Sequence, residues 1–167
     1  MRNVRKRRFG KGFTLVEAAM AAGILGLGVV SLMALCGACT RATDGGGQLS
    51  QAVFLAQEVR EWTLNLPLSD PDPTDAGNPP GPDGYADHES PDDLDDLMGV
   101  TYSPPRGGNG QALADKAGWS QSVALSWVDP VSLTPVAPGG SDAVQVDVSI
   151  SFQSRPVFST GWLVIGR

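Results

Sequence analysis

The longest apolar stretch of the chain lies close to its N-terminus. It runs from Phe13 to Cys39 and contains one ionisable side chain, that of Glu17. The 22 residues from Ala18 to Cys39 carry no charge. A helix needs roughly 20 apolar residues to cross a membrane, so residues 13–39 are predicted to form a transmembrane helix.

A second helical pattern follows a glycine-rich interruption. Asp44 precedes three consecutive glycines, which favour an unwound or bent backbone. From Gln48 onward, apolar residues recur near the helical period of about 3.6 residues; these are Leu49, Ala52, Val53, Ala56, Val59 and Leu66. Pro67 ends the pattern. Residues 40–66 are therefore predicted to form an amphipathic helix, after the glycine-rich break, that lies on a globular domain.

Residues 67–111 show no helical or strand periodicity and are rich in proline and aspartate. Such a composition cannot bury enough apolar surface to form a core, so loops are expected here. One short helical turn is predicted to begin at Ser90, as N-cap, and Pro91, and to run through Met98.

Four carboxylates in this region are candidate ligands for Ca²⁺, a cation that prefers oxygen donors; they are Asp92, Asp93, Asp95 and Asp96. A solvated acidic loop explains the same residues without a ligand and is the interpretation that we favour. The loop motif of calcium-binding helix pairs, with a glutamate at its twelfth position, is absent from the sequence. Both interpretations stay open at this point.

The C-terminal third, residues 112–167, alternates between apolar and polar positions as half-buried antiparallel strands do. The first strand places Trp119, Val123, Leu125 and Trp127 on one side. The second has Val144, Val146, Val148, Ile150 and Phe152 on one side, and a third is predicted from Val157 to Ile165. We expect Trp119, Trp127, Phe152 and Trp162 in the core. The predicted fold is α+β: a long N-terminal helix, membrane-spanning in its first half, packed on a small antiparallel β-sheet.

Charge is segregated along the chain. The first 12 residues hold six basic side chains and no acid, and the other residues carry six basic against 18 acidic side chains. An acidic body argues against nucleic acid as a partner, because phosphate binding needs a basic surface. Basic residues before a membrane span stay on the cytoplasmic side. The N-terminus is therefore predicted to be cytoplasmic and the C-terminal domain to lie outside the cytoplasm.

No constellation of catalytic residues is apparent, so we do not expect an enzyme. His88 is the only histidine and lies in the acidic loop. The run Gly107-Gly108-Asn109-Gly110 lacks the lysine and the preceding strand of a phosphate-binding loop. No cofactor other than the candidate Ca²⁺ is expected.

Three kinds of targeting segment compete for the first 39 residues. A secretory signal has a shorter apolar core, of about 7–15 residues, with cleavage after it. A lipoprotein signal would place the lipid on Cys39, the last residue of Leu35-Cys36-Gly37-Ala38-Cys39. Cleavage before the apolar run would leave the helix attached. Cys36 and Cys39 are otherwise explained as small side chains facing lipid or a neighbouring helix, and their role stays open.

The residues Lys11-Gly12-Phe13-Thr14-Leu15-Val16-Glu17 favour the third kind. Placed between a basic leader and an uncharged apolar run, they resemble the cleavage and methylation signal of type IV prepilins and pseudopilins. The resemblance covers roughly residues 5–39. It implies that residues 1–12 are a leader, that a membrane peptidase cuts between Gly12 and Phe13, and that the new amine of Phe13 is methylated.

The resemblance also implies a role and partners. Glu17 would pair with the amine of Phe13 in a neighbouring subunit, and the chain would assemble with other pilins or pseudopilins through an inner-membrane platform. Among known subunits it looks most like the I-type minor pseudopilin of type II secretion or a V-type minor pilin. The alternative from another class is a membrane-anchored extracytoplasmic protein or lipoprotein, a binding module whose acidic loop binds cations.

Overall fold

The computed structural model of the protein describes residues 12–68, 70–71, 79–81 and 91–166. One long helix, α1, is followed by four strands, and two 3-10 turns lie before and after the first of these strands. The predicted α+β class is confirmed. The chain divides between Gly45 and Gly46 into two compact units, and both contain part of α1.

Helix α1 spans Leu15–Asn65. Its last residue lies directly before Leu66-Pro67, where the sequence predicts the end. The structure differs from the prediction at Asp44–Gly47, which is helical rather than unwound. Helical hydrogen bonds join backbone groups only, and each glycine costs about 1 kcal/mol relative to alanine. Long helical segments on both sides remove the cost of nucleation at the glycines.

The sheet is antiparallel and has the strand order β1-β2-β3-β4. Its strands are β1 (Thr101–Tyr102), β2 (Trp119–Trp127), β3 (Ala143–Phe152) and β4 (Arg155–Ile165). The three long strands match the alternating patterns of the sequence. Strand β1 was not predicted, because two residues are too few to show a period.

The core forms between one face of α1 and one face of the sheet. The helix buries Ala52, Leu55, Ala56, Val59 and Trp62. They pack in one cluster with the inner side chains of β2 and β3, including Val123, Leu125, Val144, Val146, Val148 and Ile150. The predicted aromatic core is confirmed, with Trp119 and Trp127 buried and Phe152 and Trp162 packed against them. On the helix, however, Leu49 and Val53 are exposed and Leu55 is buried in their place.

A buried glutamine joins the helix to the sheet. The side chain of Gln121 in β2 has no exposed surface. Its Nε2 donates hydrogen bonds to the carbonyl oxygens of Leu55 and Arg106, each at 3.0 Å. Its Oε1 accepts one from the backbone N–H of Arg106 at 2.6 Å. A buried amide with all these bonds fixes one register of α1 on the sheet, because any slip would leave buried polar groups unpaired.

The glycine-rich loop 107–110 lies against the same helix. The backbone N–H of Gly108 donates to the Glu58 carboxylate. The guanidinium of Arg106 lies 4.5 Å from the centre of the Tyr102 ring and donates to the carbonyl of Gly110 at 3.2 Å. A Cβ at Gly107 or Gly108 would meet the Glu58 carboxylate at 3.3 Å. Glycine at these two positions therefore allows the loop to approach the helix closely, and a side chain there would require the Glu58 carboxylate to shift.

The predicted turn from Ser90 to Met98 is only partly present. Ser90 lies outside the described residues, and Pro91 to Leu94 are not helical. A single 3-10 turn covers Asp95–Leu97. Leu94 and Leu97 are buried, and the Leu94 N–H donates to the carbonyl of Pro67 at 2.9 Å. Burial of the two leucines in the core thus decides where the turn forms.

Replacing Gln121 tests the link between helix and sheet. Gln121→Met keeps the volume but leaves Arg106 N–H and two carbonyls without this partner. We expect the free energy of unfolding to fall by about 2–3 kcal/mol, measured by urea unfolding in detergent micelles. Gln145→Met, on the outer face of β3, is the matched control and should change it by less than about 0.5 kcal/mol. Equal losses in the two variants would contradict this role for Gln121.

Candidate functional site

The junction between the basic leader and helix α1 is the first candidate site. Residues 1–11, which hold most of the predicted leader, lie outside the described residues. Gly12 to Thr14 are not helical, and α1 begins at Leu15. The bond between Gly12 and Phe13 therefore lies in a short non-helical segment, and both residues are exposed.

Among the described residues, nothing explains a glycine at position 12. A Cβ built there would meet no described atom within 4 Å. A peptidase that recognises the Gly12–Phe13 bond would impose a requirement for a small residue.

Thr14 caps the helix. Its Oγ1 accepts a hydrogen bond from the backbone N–H of Glu17 at 3.3 Å. Threonine at the N-cap with glutamate three residues later is the capping-box pattern, in which Glu17 stands at the third helical position. This role of Thr14 was not predicted, although the T-x-x-E spacing of Thr14 and Glu17 signals it. Glu17 also lies in the first turn, where the helix dipole favours a negative charge.

The segment that follows Glu17 exposes its apolar side chains. Within residues 15–39 every side chain is exposed except at Gly37, which is intermediate. Leu15 is 88% exposed and Leu27 72%. An 18-residue window of this helix has a mean hydropathy of 2.2 and buries none of its residues. By length and composition it is one candidate membrane span.

Polar side chains within and beyond this segment bond to their own helix. The hydroxyls of Ser31, Thr40 and Thr43 donate to carbonyls four residues earlier, at distances from 2.8 to 3.1 Å. These bonds satisfy the hydroxyls without a partner outside the helix, which suits an apolar environment.

Cys36 and Cys39 are exposed free thiols, an exposure compatible with side chains that face lipid or another helix.

The acidic cluster near the start of the sheet is the second candidate site. The structure brings together three of the four predicted ligands, Asp93, Asp95 and Asp96. One carboxylate oxygen from each lies within 4.8 Å of the others. Asp92 is exposed and contributes its backbone instead, donating N–H to Asp96 Oδ2 at 3.1 Å. His88 lies outside the described residues.

Local hydrogen bonds orient the cluster. Asp93 Oδ1 accepts from the backbone N–H groups of Asp95 and Asp96, at 3.0 and 3.2 Å. This is the Asx-turn arrangement, in which an aspartate closes the turn that follows it. Burial raises the pKa of Asp93 to about 7, and the nearby charge of Asp95 adds to the effect. Excess negative charge here can be relieved by a proton on Asp93 or by a hard cation held by three carboxylate oxygens.

Comparisons of the chain with protein-family models, with curated proteins and with solved structures found no match. What the sequence and the structure establish together is one long, apolar N-terminal helix followed by a small antiparallel sheet, with a candidate membrane span in the helix.

The raised pKa of Asp93 predicts a dependence of stability on pH. The native chain holds this proton more tightly than the unfolded chain, whose aspartates titrate near 3.8. The free energy of unfolding should therefore fall as pH rises from about 4 to about 7, by at most about 1.4 kcal/mol per pH unit, and this contribution should be constant above that range.

Asp93→Asn removes the titration and keeps the oxygen that accepts the two backbone N–H groups. We expect it to flatten the slope between about pH 4 and pH 7 in urea unfolding curves. Asp115→Asn removes a carboxylate that is hydrogen-bonded to Lys116, with a lowered pKa, and should leave that slope in place. If the slope of the free energy of unfolding against pH is unchanged in Asp93→Asn, the slope arises from other titratable groups and not from Asp93.

Proposed function

We propose that the chain is a subunit of a pilin-like fibre, anchored by the first part of α1 until it is assembled. The observation that carries the proposal is the exposed apolar helix directly behind Lys11-Gly12-Phe13-Thr14-Leu15-Val16-Glu17. The proposal accounts for two features together. The apolar helix continues into the part of α1 that packs on the sheet, and an exposed, non-helical segment that contains the Gly12–Phe13 bond lies in front of it.

The apolar surface of residues 15–39 needs a cover that water does not provide, because contiguous exposed apolar surface of this extent marks a membrane or protein contact. Lipid covers it before assembly. Apolar helices of other subunits cover it in the fibre. The glycines and alanines of this segment suit close helix packing, since small side chains let backbones approach.

Glu17 supports the same proposal. A carboxylate in an apolar span is costly and calls for a compensating partner. Among the described residues Glu17 forms no ion pair. Cleavage after Gly12 creates a positive amine at Phe13, one helical turn before Glu17. Within one chain the backbone N–H of Glu17 donates to Thr14 Oγ1, which leaves the carboxylate to pair with the amine of a neighbour between subunits.

The charge of the leader sets the orientation. Its six basic residues stay in the cytoplasm, so the sheet domain lies on the outer side of the inner membrane. Processing by a prepilin peptidase and N-methylation of Phe13 belong to this proposal. The finer assignment is to a minor pseudopilin of type II secretion, or a minor pilin, that supports protein secretion or pilus assembly.

The cap at Thr14 uses the backbone N–H of Glu17 and does not depend on the side chain at position 17. Glu17→Gln removes the charge and keeps the size of the side chain and its ability to form hydrogen bonds, so it tests the charge alone. We expect Glu17→Gln to lower incorporation into fibres by about tenfold or more, equivalent to at least about 1.4 kcal/mol of lost pairing. Crosslinking in whole cells, normalised to the membrane pool, measures this incorporation.

Asp44→Asn is the matched control, since it neutralises an exposed acid elsewhere on α1. It should assemble like the unaltered chain. Incorporation of Glu17→Gln into fibres at the same level as the unaltered chain would contradict the proposed charge pair.

A further inference from the structure

The two edges of the sheet are built differently. Strand β1 is two residues long and continues into Ser103-Pro104-Pro105, which cannot extend a ladder of hydrogen bonds. Strand β4 has 11 residues and pairs only with β3 among the described strands. Short strands, prolines, charges and bulges are the usual protection of sheet edges against other chains. The β1 edge has such protection.

The β4 edge has this protection only at its start, where Arg155 and Pro156 lie. From Pro156 to Gly166 the sequence carries no charged side chain. The one irregularity in register lies opposite Ile150 and Ser151, near the start of β4. From Phe158 to Ile165 the strand pairs residue for residue with β3. A long, regular, uncharged edge of this kind is a template for one more strand.

The core-side residues of β4 are incompletely covered. Phe158, Trp162 and Val164 pack against the hydrophobic core but remain only partly buried. The indole Nε1 of Trp162 is buried and has no hydrogen-bond partner in the part of the chain that the structure describes. Buried donors normally have an acceptor. An added strand beside β4 would extend the cover of these side chains.

We infer that the β4 edge binds an extended segment of another protein, which adds to the sheet as a further strand. Main-chain hydrogen bonds supply the affinity, and alternating apolar side chains cover Phe158, Trp162 and Val164. The segment is neutral or basic, because Asp142 and Asp147 lie on the neighbouring strand or just before it and the body of the chain is acidic. A second copy carries the same acidic excess and is disfavoured by repulsion. The inference goes beyond the proposed function and does not depend on it.

The probe for this edge is a synthetic peptide that copies Ala143–Phe152, with lysines added at both ends. This sequence already pairs antiparallel with the other side of β4 and has the required alternation. Amide hydrogen exchange is measured on the full chain in lipid nanodiscs, with and without the peptide. We expect new protection in β4 and unchanged exchange in β1 and β2. Absence of new protection in β4 overturns the inference.

Two neighbouring lysine substitutions on β4 provide a matched test. Thr160 pairs with Val148 and faces the core side, whereas Ser159 pairs with Ser149 and faces the outer side. An added strand would bury a lysine at 160 and leave one at 159 in water. Peptide affinity should fall by at least about tenfold in Thr160→Lys and stay within about twofold in Ser159→Lys.

Circular dichroism and thermal unfolding establish whether each variant is folded. If Thr160→Lys is not folded, hydrogen exchange on the unaltered chain, with and without the peptide, decides whether the β4 edge binds it. Equal affinity of the two folded variants overturns edge binding. Protection of β4 that rises with protein concentration in the absence of peptide identifies a second copy as the occupant and overturns the proposal of a foreign segment.

Discussion

Between Leu15 and Cys39 the chain presents apolar side chains that its own fold does not bury, and it places one carboxylate at the start of that surface. Covering this surface and compensating this charge are requirements that a single copy in water cannot meet. We propose that lipid meets the first, and that the amine freed by cleavage after Gly12 meets the second. The basic leader, the exposed Gly12–Phe13 bond and the cap at Thr14 all lie within the same short stretch.

The later part of the same helix obeys a different requirement. There one face is buried against the sheet, and Gln121 fixes its register through bonds to Leu55 and Arg106. Glu58 and the loop 107–110 add a second attachment. Because these hydrogen bonds attach the sheet domain to the helix, a displacement of the helix would move the domain with it. Of the two outer strands, β1 is short and is followed by prolines, and the long β4 edge is where we propose a contact.

Elements long enough to show a periodic pattern of apolar residues were predictable from the sequence. Features that depend on residues distant in the sequence were not. Helix α1 and strands β2 to β4 followed from apolar spacing. The alternation of β2 does place Gln121 on the core side, between Trp119 and Val123, but its hydrogen-bond partners were not predictable because they lie in other elements. The glycines at 45–47 suggested a break, since local cost is visible in the sequence whereas support from flanking turns is not. The sequence predicted Asp92, Asp93, Asp95 and Asp96 as one group because they are neighbours in the chain. Only the geometry of the turn shows that the carboxylates of Asp93, Asp95 and Asp96 lie together, whereas Asp92 contributes its backbone N–H.

Mass spectrometry of the N-terminus of the protein isolated from cell membranes tests the central claim most directly. The account predicts a mature chain that begins at Phe13, with a methyl group on its amine and the apolar helix still attached. A working form that retains Met1 through Gly12 would contradict it, since no amine would then face Glu17. A chain that begins at a lipid-modified Cys39 would contradict it as well, because the helix would have been removed.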